Sequence, residues 1–153
     1  MFWKNQLVRY LVMNIRHIGL VVSNLNDSLK FWRDIIGFKI KKKKHERGKT
    51  IDNVLKIKNC KVLTIKMVDK KNNMLELIKF NSSIKKKDRK IFTNSNGFTH
   101  IALTVDNLDL LYKKLRKNNV FNCPPQLSED RKVKLTYLRT PEGAFLELVE
   151  ELN

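Results

Sequence analysis

Arg16-His17-Ile18-Gly19-Leu20-Val21-Val22-Ser23-Asn24-Leu25 returns 83 residues later as Thr99-His100-Ile101-Ala102-Leu103-Thr104-Val105-Asp106-Asn107-Leu108, with His, Ile, Leu, Val, Asn and Leu in register. A second echo follows at an offset of 71: Met74-Leu75-Glu76-Leu77-Ile78 becomes Phe145-Leu146-Glu147-Leu148-Val149. Each half of the chain therefore opens on a histidine strand and closes on a glutamate strand. Two copies of one supersecondary unit are the organising feature.

The elements follow from periodicity. Ile15 to Val22 alternates and is β-branched, which predicts a strand with His17 on the face of Ile15, Gly19 and Val21. Asn24 is an N-cap with Asp27 in the capping-box position, and Leu25, Leu29, Trp32 and Ile36 form a helical stripe that Gly37 stops. Phe38 to Lys44 alternates as a strand whose polar positions are nearly all lysine, the signature of a sheet edge. Thr50 to Ile57 is expected to make a short helical turn. Cys60 to Val68 and Met74 to Phe80 form a hairpin around Asp69–Asn73.

The second half repeats the order. Phe98 to Val105 is a strand, Asp106 or Asn107 caps a helix over about Leu108 to Asn118, and Pro124-Pro125 leads into a strand reaching Leu127. Val133 to Arg139 and Ala144 to Glu150 are strands joined by the tight turn Thr140–Gly143. The pattern is α+β: two βαβββ modules, 14–80 and 98–151, joined by a polar linker, 81–97, within a single domain, 14–151. Residues 1–13 are an N-terminal extension. No glycine-rich phosphate loop is present, and the order is not that of a nucleotide-binding sheet.

Composition narrows the function. The 153 residues suit one compact domain. No apolar run approaches the roughly 18 residues of a membrane span, and the N-terminus carries no signal-peptide pattern. Cys60 and Cys123 lie far apart, so reduced thiols in a cytoplasmic protein are expected. The net charge of +17 comes from 24 Lys against 8 Arg, densest at Lys41–Lys44 and Lys85–Lys87. Neither run interleaves aromatics for base stacking, and no helix carries an Arg-rich face. A solvated surface is therefore preferred to a nucleic-acid interface. An anionic substrate would still be drawn in by the field.

Glu76 and Glu147 lie inside Leu-Glu-Leu triplets with further apolar neighbours at i−2 and i+2. A carboxylate in such a surround needs a partner to stay charged. Taken singly, a strand histidine is more often a hydrogen-bonded filler than a ligand, and a strand glutamate more often faces water. In duplicated positions the four point instead to a divalent metal held by His17, Glu76, His100 and Glu147 about a pseudo-twofold axis. Such a mixed N/O set suits zinc, nickel, cobalt, manganese or iron.

With these residues and the segments Leu29-Lys30-Phe31-Trp32, Gly37-Phe38 and Thr140-Pro141-Glu142-Gly143, the chain resembles the vicinal oxygen chelate superfamily, also called the glyoxalase/bleomycin-resistance/dioxygenase superfamily, from residue 14 to about 151. The resemblance implies two half-barrel modules around a cleft with one divalent metal, and a homodimer. The His, Glu, His, Glu set is similar to that of lactoylglutathione lyases. Methylmalonyl-CoA epimerases are similar too, but commonly carry glutamine at the second place. The implied activity is a metal-dependent lyase or isomerase of a small molecule, acting by proton abstraction next to a metal-bound carbonyl, with Glu147 as first choice for the base and Glu76 as second. A metal-free binding or resistance protein and an iron-dependent dioxygenase are the alternatives. No glutathione-binding set is evident. Arg33, Lys66 and Arg139 are candidate anion contacts that the pattern assigns first to solvent. His45 is read as an exposed loop or edge residue, and Phe31 and Trp32 as helix core.

Overall fold

The computed structural model describes residues 14–82 and 92–152; the expected extension, 1–13, lies outside the described residues, as does much of the expected linker. The first half runs β1 (Ile18–Val21), α1 (Leu25–Leu29), a π-helical continuation (Lys30–Ile35), β2 (Lys39–Arg47), α2 (Lys49–Leu55), β3 (Lys61–Val68) and β4 (Met74–Phe80). The second runs β5 (His100–Thr104), α3 (Leu108–Leu115), β6 (Gln126–Leu127), β7 (Val133–Arg139) and β8 (Phe145–Glu151). Each half builds one four-stranded mixed sheet, ordered β1-β4-β3-β2 and β5-β8-β7-β6. In both, the histidine-bearing segment leads into a strand parallel to the glutamate strand.

Helix starts follow the capping chemistry. The Asn24 side chain accepts from the backbone N–H of Asn26 and Asp27, and its amide donates to Asp27 Oδ2 at 2.6 Å. Asn107, not Asp106, caps α3 by accepting from Leu110 N–H. After α1 the turns widen, with Ile36 N–H donating to Phe31 O. The chain then reverses at Gly37, whose φ of 98° suits a residue without Cβ. The predicted stripe is displaced by this widening. Ser28, Phe31 and Trp32 are fully buried, whereas Leu25, Leu29 and Ile36 are only partly so.

Strand register divides each sheet into a core face and an open face. Ile18 pairs with Leu75 and Leu20 with Leu77, while Met67 and Ile65 lie across from Leu75 and Leu77 on β3. These residues meet Val22, Phe31 and Trp32 in the core. The same core takes Ile101, Leu108, Leu138, Leu146 and Leu148 from the second half, so one cluster joins both sheets. The Trp32 indole N–H also reaches Glu142 Oε2 at 3.4 Å, in the turn before β8.

β1 and β5 are shorter than their apolar runs. Their partners begin at Met74 and Phe145, so Ile15 (90% exposed) and Phe98 (73%) extend past the paired ladder. β2 is an edge strand as its lysines predict, and His45 is exposed on it.

Candidate functional site

The candidate site residues lie on the open faces. On the first sheet Gly19 pairs with Glu76, and Glu76 with Lys66 across the β3–β4 hairpin. His17 lies two residues before Gly19 and so shares that face. Its Nε2 stands 3.2 Å from Glu76 Oε2, and the Lys66 ammonium stands 3.6 Å from the other oxygen, Oε1. Glu76 is only 8% exposed, so its charge sits among apolar strand neighbours and is met on both oxygens. At Gly19 a Cβ would come within 3.2 Å of Ile78 Cδ1 on the same face. His17 Nδ1 is buried without a hydrogen-bond partner, which leaves the imidazole with Glu76 as its polar contact.

The second sheet repeats the plan with one substitution. Ala102 pairs with Glu147 as Gly19 does with Glu76, and Tyr137 stands where Lys66 stands, across the hairpin from the glutamate. His100 Nε2 lies 3.4 Å from Glu147 Oε2, and its Nδ1 lies 3.0 Å from Thr99 Oγ1. The Tyr137 ring meets His100 edge-on at 5.5 Å. Burial holds the Tyr137 phenol above its ordinary range, and the hydrogen bond it donates to Glu147, with the charge of that carboxylate, pushes the same way. Sequence reasoning did not single out Tyr137. The available signal is its offset: Lys66 and Tyr137 each precede their glutamate by the same interval.

The four candidate ligands thus gather as two pairs, His17–Glu76 and His100–Glu147, one on each sheet. Among the described residues no group of three or more His, Cys, Asp or Glu side chains comes close enough to share an ion. Each pair supplies an imidazole nitrogen and a carboxylate oxygen, a donor set that fits half of a four-ligand site for a borderline divalent metal.

The other candidates separate clearly. Arg33 pairs with Asp34 in solvent. Lys66 is not a solvent residue but part of the Glu76 cluster, because β3 pairs it directly with that carboxylate. Arg139 is half-buried, with its guanidinium 3.6 Å from the centre of the Phe145 ring and Nη1 donating to Gly143 O. Phe31 and Trp32 are core, 3% and 0% exposed. Cys60 and Cys123 are free thiols, and no helix of the described residues is long and apolar enough to cross a membrane.

The chain as a whole is similar to known proteins. A family model described as the Glyoxalase/Bleomycin resistance protein/Dioxygenase superfamily matches residues 14–148. A lactoylglutathione lyase of Schizosaccharomyces pombe is 25% identical over 154 residues, covering 90% of this chain and 47% of that protein. The chain therefore spans about half the length of this curated relative. A glyoxalase family protein from Bacillus cereus superposes with a TM-score of 0.80 at 24% identity, covering 100% of both chains. The trypanothione-dependent glyoxalase I of Leishmania major gives 0.60 at 19% identity, covering 92% of this chain and 88% of that one. At these identities the superpositions speak to the fold.

Proposed function

The chain belongs to the glyoxalase/bleomycin resistance protein/dioxygenase superfamily, and from that premise we propose that it is a divalent-metal-dependent lyase or isomerase of a small carbonyl compound. The observation that carries this reading is the duplicated His–Glu pair, at 3.2 and 3.4 Å, on the open face of each sheet. The superfamily includes lactoylglutathione lyases, and the distant likeness to one of them supports the reaction class.

His17, Glu76, His100 and Glu147 would hold the ion, which is zinc, nickel, cobalt, manganese or iron. When bound, it supplies Lewis-acid stabilisation of a carbonyl next to the reacting carbon. The protein's own groups do the rest. The Glu147 carboxylate takes a proton from that carbon; the C–H pair is delocalised onto the carbonyl oxygen, and the proton returns to the same or the neighbouring carbon. Tyr137, by donating to Glu147, fixes the carboxylate's orientation for this transfer. Glu76, held by His17 and Lys66, is a fixed charge on the opposite wall and the second choice for the base.

The site is completed in a homodimer, the His17–Glu76 pair of one copy facing the His100–Glu147 pair of the other. Two features support this arrangement: a single chain holds the pairs apart, and Ile15, Val21 and Phe98 are exposed at 90%, 55% and 73% beside them. The free thiols suit a cytoplasmic location.

The test is Glu147→Gln. Turnover of a thiohemiacetal or an acyl-CoA epimer is expected to fall by a factor on the order of a thousand or more while most metal stays bound. Near wild-type activity in the variant would remove Glu147 as the base. Oxygen uptake with iron would favour a dioxygenase, and tight ligand binding without metal or turnover a sequestering protein.

A further inference from the structure

Lys66 breaks the symmetry of the two half-sites. Its ammonium lies 3.6 Å from Glu76 Oε1 and is 28% exposed. Directly across the β2–β3 ladder stands Lys42, in register with Lys66 and therefore on the same open face. Two like charges facing each other across antiparallel strands destabilise the sheet unless something neutralises them. Lys44, the next residue on that face, is already paired with Glu46. This leaves Glu76 as the neighbouring carboxylate for Lys66. In the second half-site the corresponding place holds Tyr137, which is neutral, and Arg139 is stacked on Phe145.

We propose that Lys66, with Lys42 beside it, is the anion seat of the cleft, so that the substrate is a carbonyl compound bearing a carboxylate or phosphate which lies over the first sheet. The proposal rests on the reading that His17 and Glu76 belong to the reaction cleft. Engaging Glu76 with a divalent ion takes that carboxylate from Lys66. Even without the ion, the two ammonium groups of this face stand against the single Glu76 carboxylate, and a divalent ion held there would leave both facing a cation across a partly buried surface; in either state a bound anion restores the balance. The seat also orients the ligand, with its charged end towards β2 and β3 and its reacting carbon towards Glu147 on the second sheet of the facing copy.

The experiment uses the metal-free full chain, a proton–nitrogen NMR titration with oxalate as the anionic probe, and zinc affinity measured by competition with a chromophoric chelator. Oxalate is expected to move the amides of Lys42, Lys66 and Glu76 before those of the distant Lys113–Lys114 pair. Lys66→Met, which keeps most of the aliphatic stem, should weaken oxalate on the order of tenfold while leaving zinc affinity equal or tighter. Lys66→Arg should retain oxalate binding. Unchanged oxalate affinity in Lys66→Met overturns the proposal, as does joint weakening of oxalate and zinc, which marks a structural role. If the wild-type chain takes up no zinc, the metal reading fails while the oxalate arm still decides the anion seat.

Discussion

Glu76 and Glu147 occupy nearly identical Leu-Glu-Leu settings, yet their cross-strand neighbours differ, lysine for one and tyrosine for the other. Tyr137 yields a prediction of its own in the metal-free chain. Its phenol is held above the ordinary tyrosine value of 10.0 by burial first and by Glu147 second. A raised folded-state value means that, as pH climbs past the ordinary tyrosine range, the unfolded chain releases a proton that the fold retains. The stability linked to this group is therefore intact below that range and lost as pH rises through it. In an ultraviolet titration one of the three tyrosines should ionise last, and Tyr137→Phe should remove that late step. Removal of an early step instead would place the phenol elsewhere. At this scale strand periodicity and duplication made both His–Glu pairs legible, because residues two apart share a face. The contacts of Lys66 and Tyr137 with the two glutamates were not read: the pattern assigned Lys66 first to solvent and passed over Tyr137. They depend on hairpin register, which adjacent residues do not encode.

The elements were more readable than their ends. β7 spans the predicted residues, the β3–β4 hairpin turns at Asp69–Asn73, and the lysine-rich strand lies at an edge. α1 departed from its stripe because its second half opens into a π turn, which brings adjacent Phe31 and Trp32 inward together. Trp32 is fully buried, meets Phe31 and Phe38 edge-on at 5.2 and 5.9 Å, and reaches the second half through Glu142. Trp32→Ala is expected to cost about 3–5 kcal/mol, read as a lowered denaturant midpoint in a single transition. A loss below about 1 kcal/mol would show that this helix does not tie the two sheets together.

For the whole molecule, the duplicated sequence predicted two four-stranded units, and the two sheets have that order. That the two sheets share one core while their His–Glu pairs stand apart was not readable, since no local pattern encodes the relation between two packed sheets. If one site is shared between copies, His17→Ala and His100→Ala should complement each other: a subunit-exchanged equimolar mixture regains roughly a quarter of an ion per chain, because half the dimers carry one intact site of two. The claim beneath all of this is that the four duplicated residues hold a metal. Elemental analysis of the purified wild-type chain beside His100→Ala tests it most directly. About one divalent ion per chain is expected, lost in the variant. An ion retained undiminished in His100→Ala, or none taken up by the wild type after reconstitution, would contradict it.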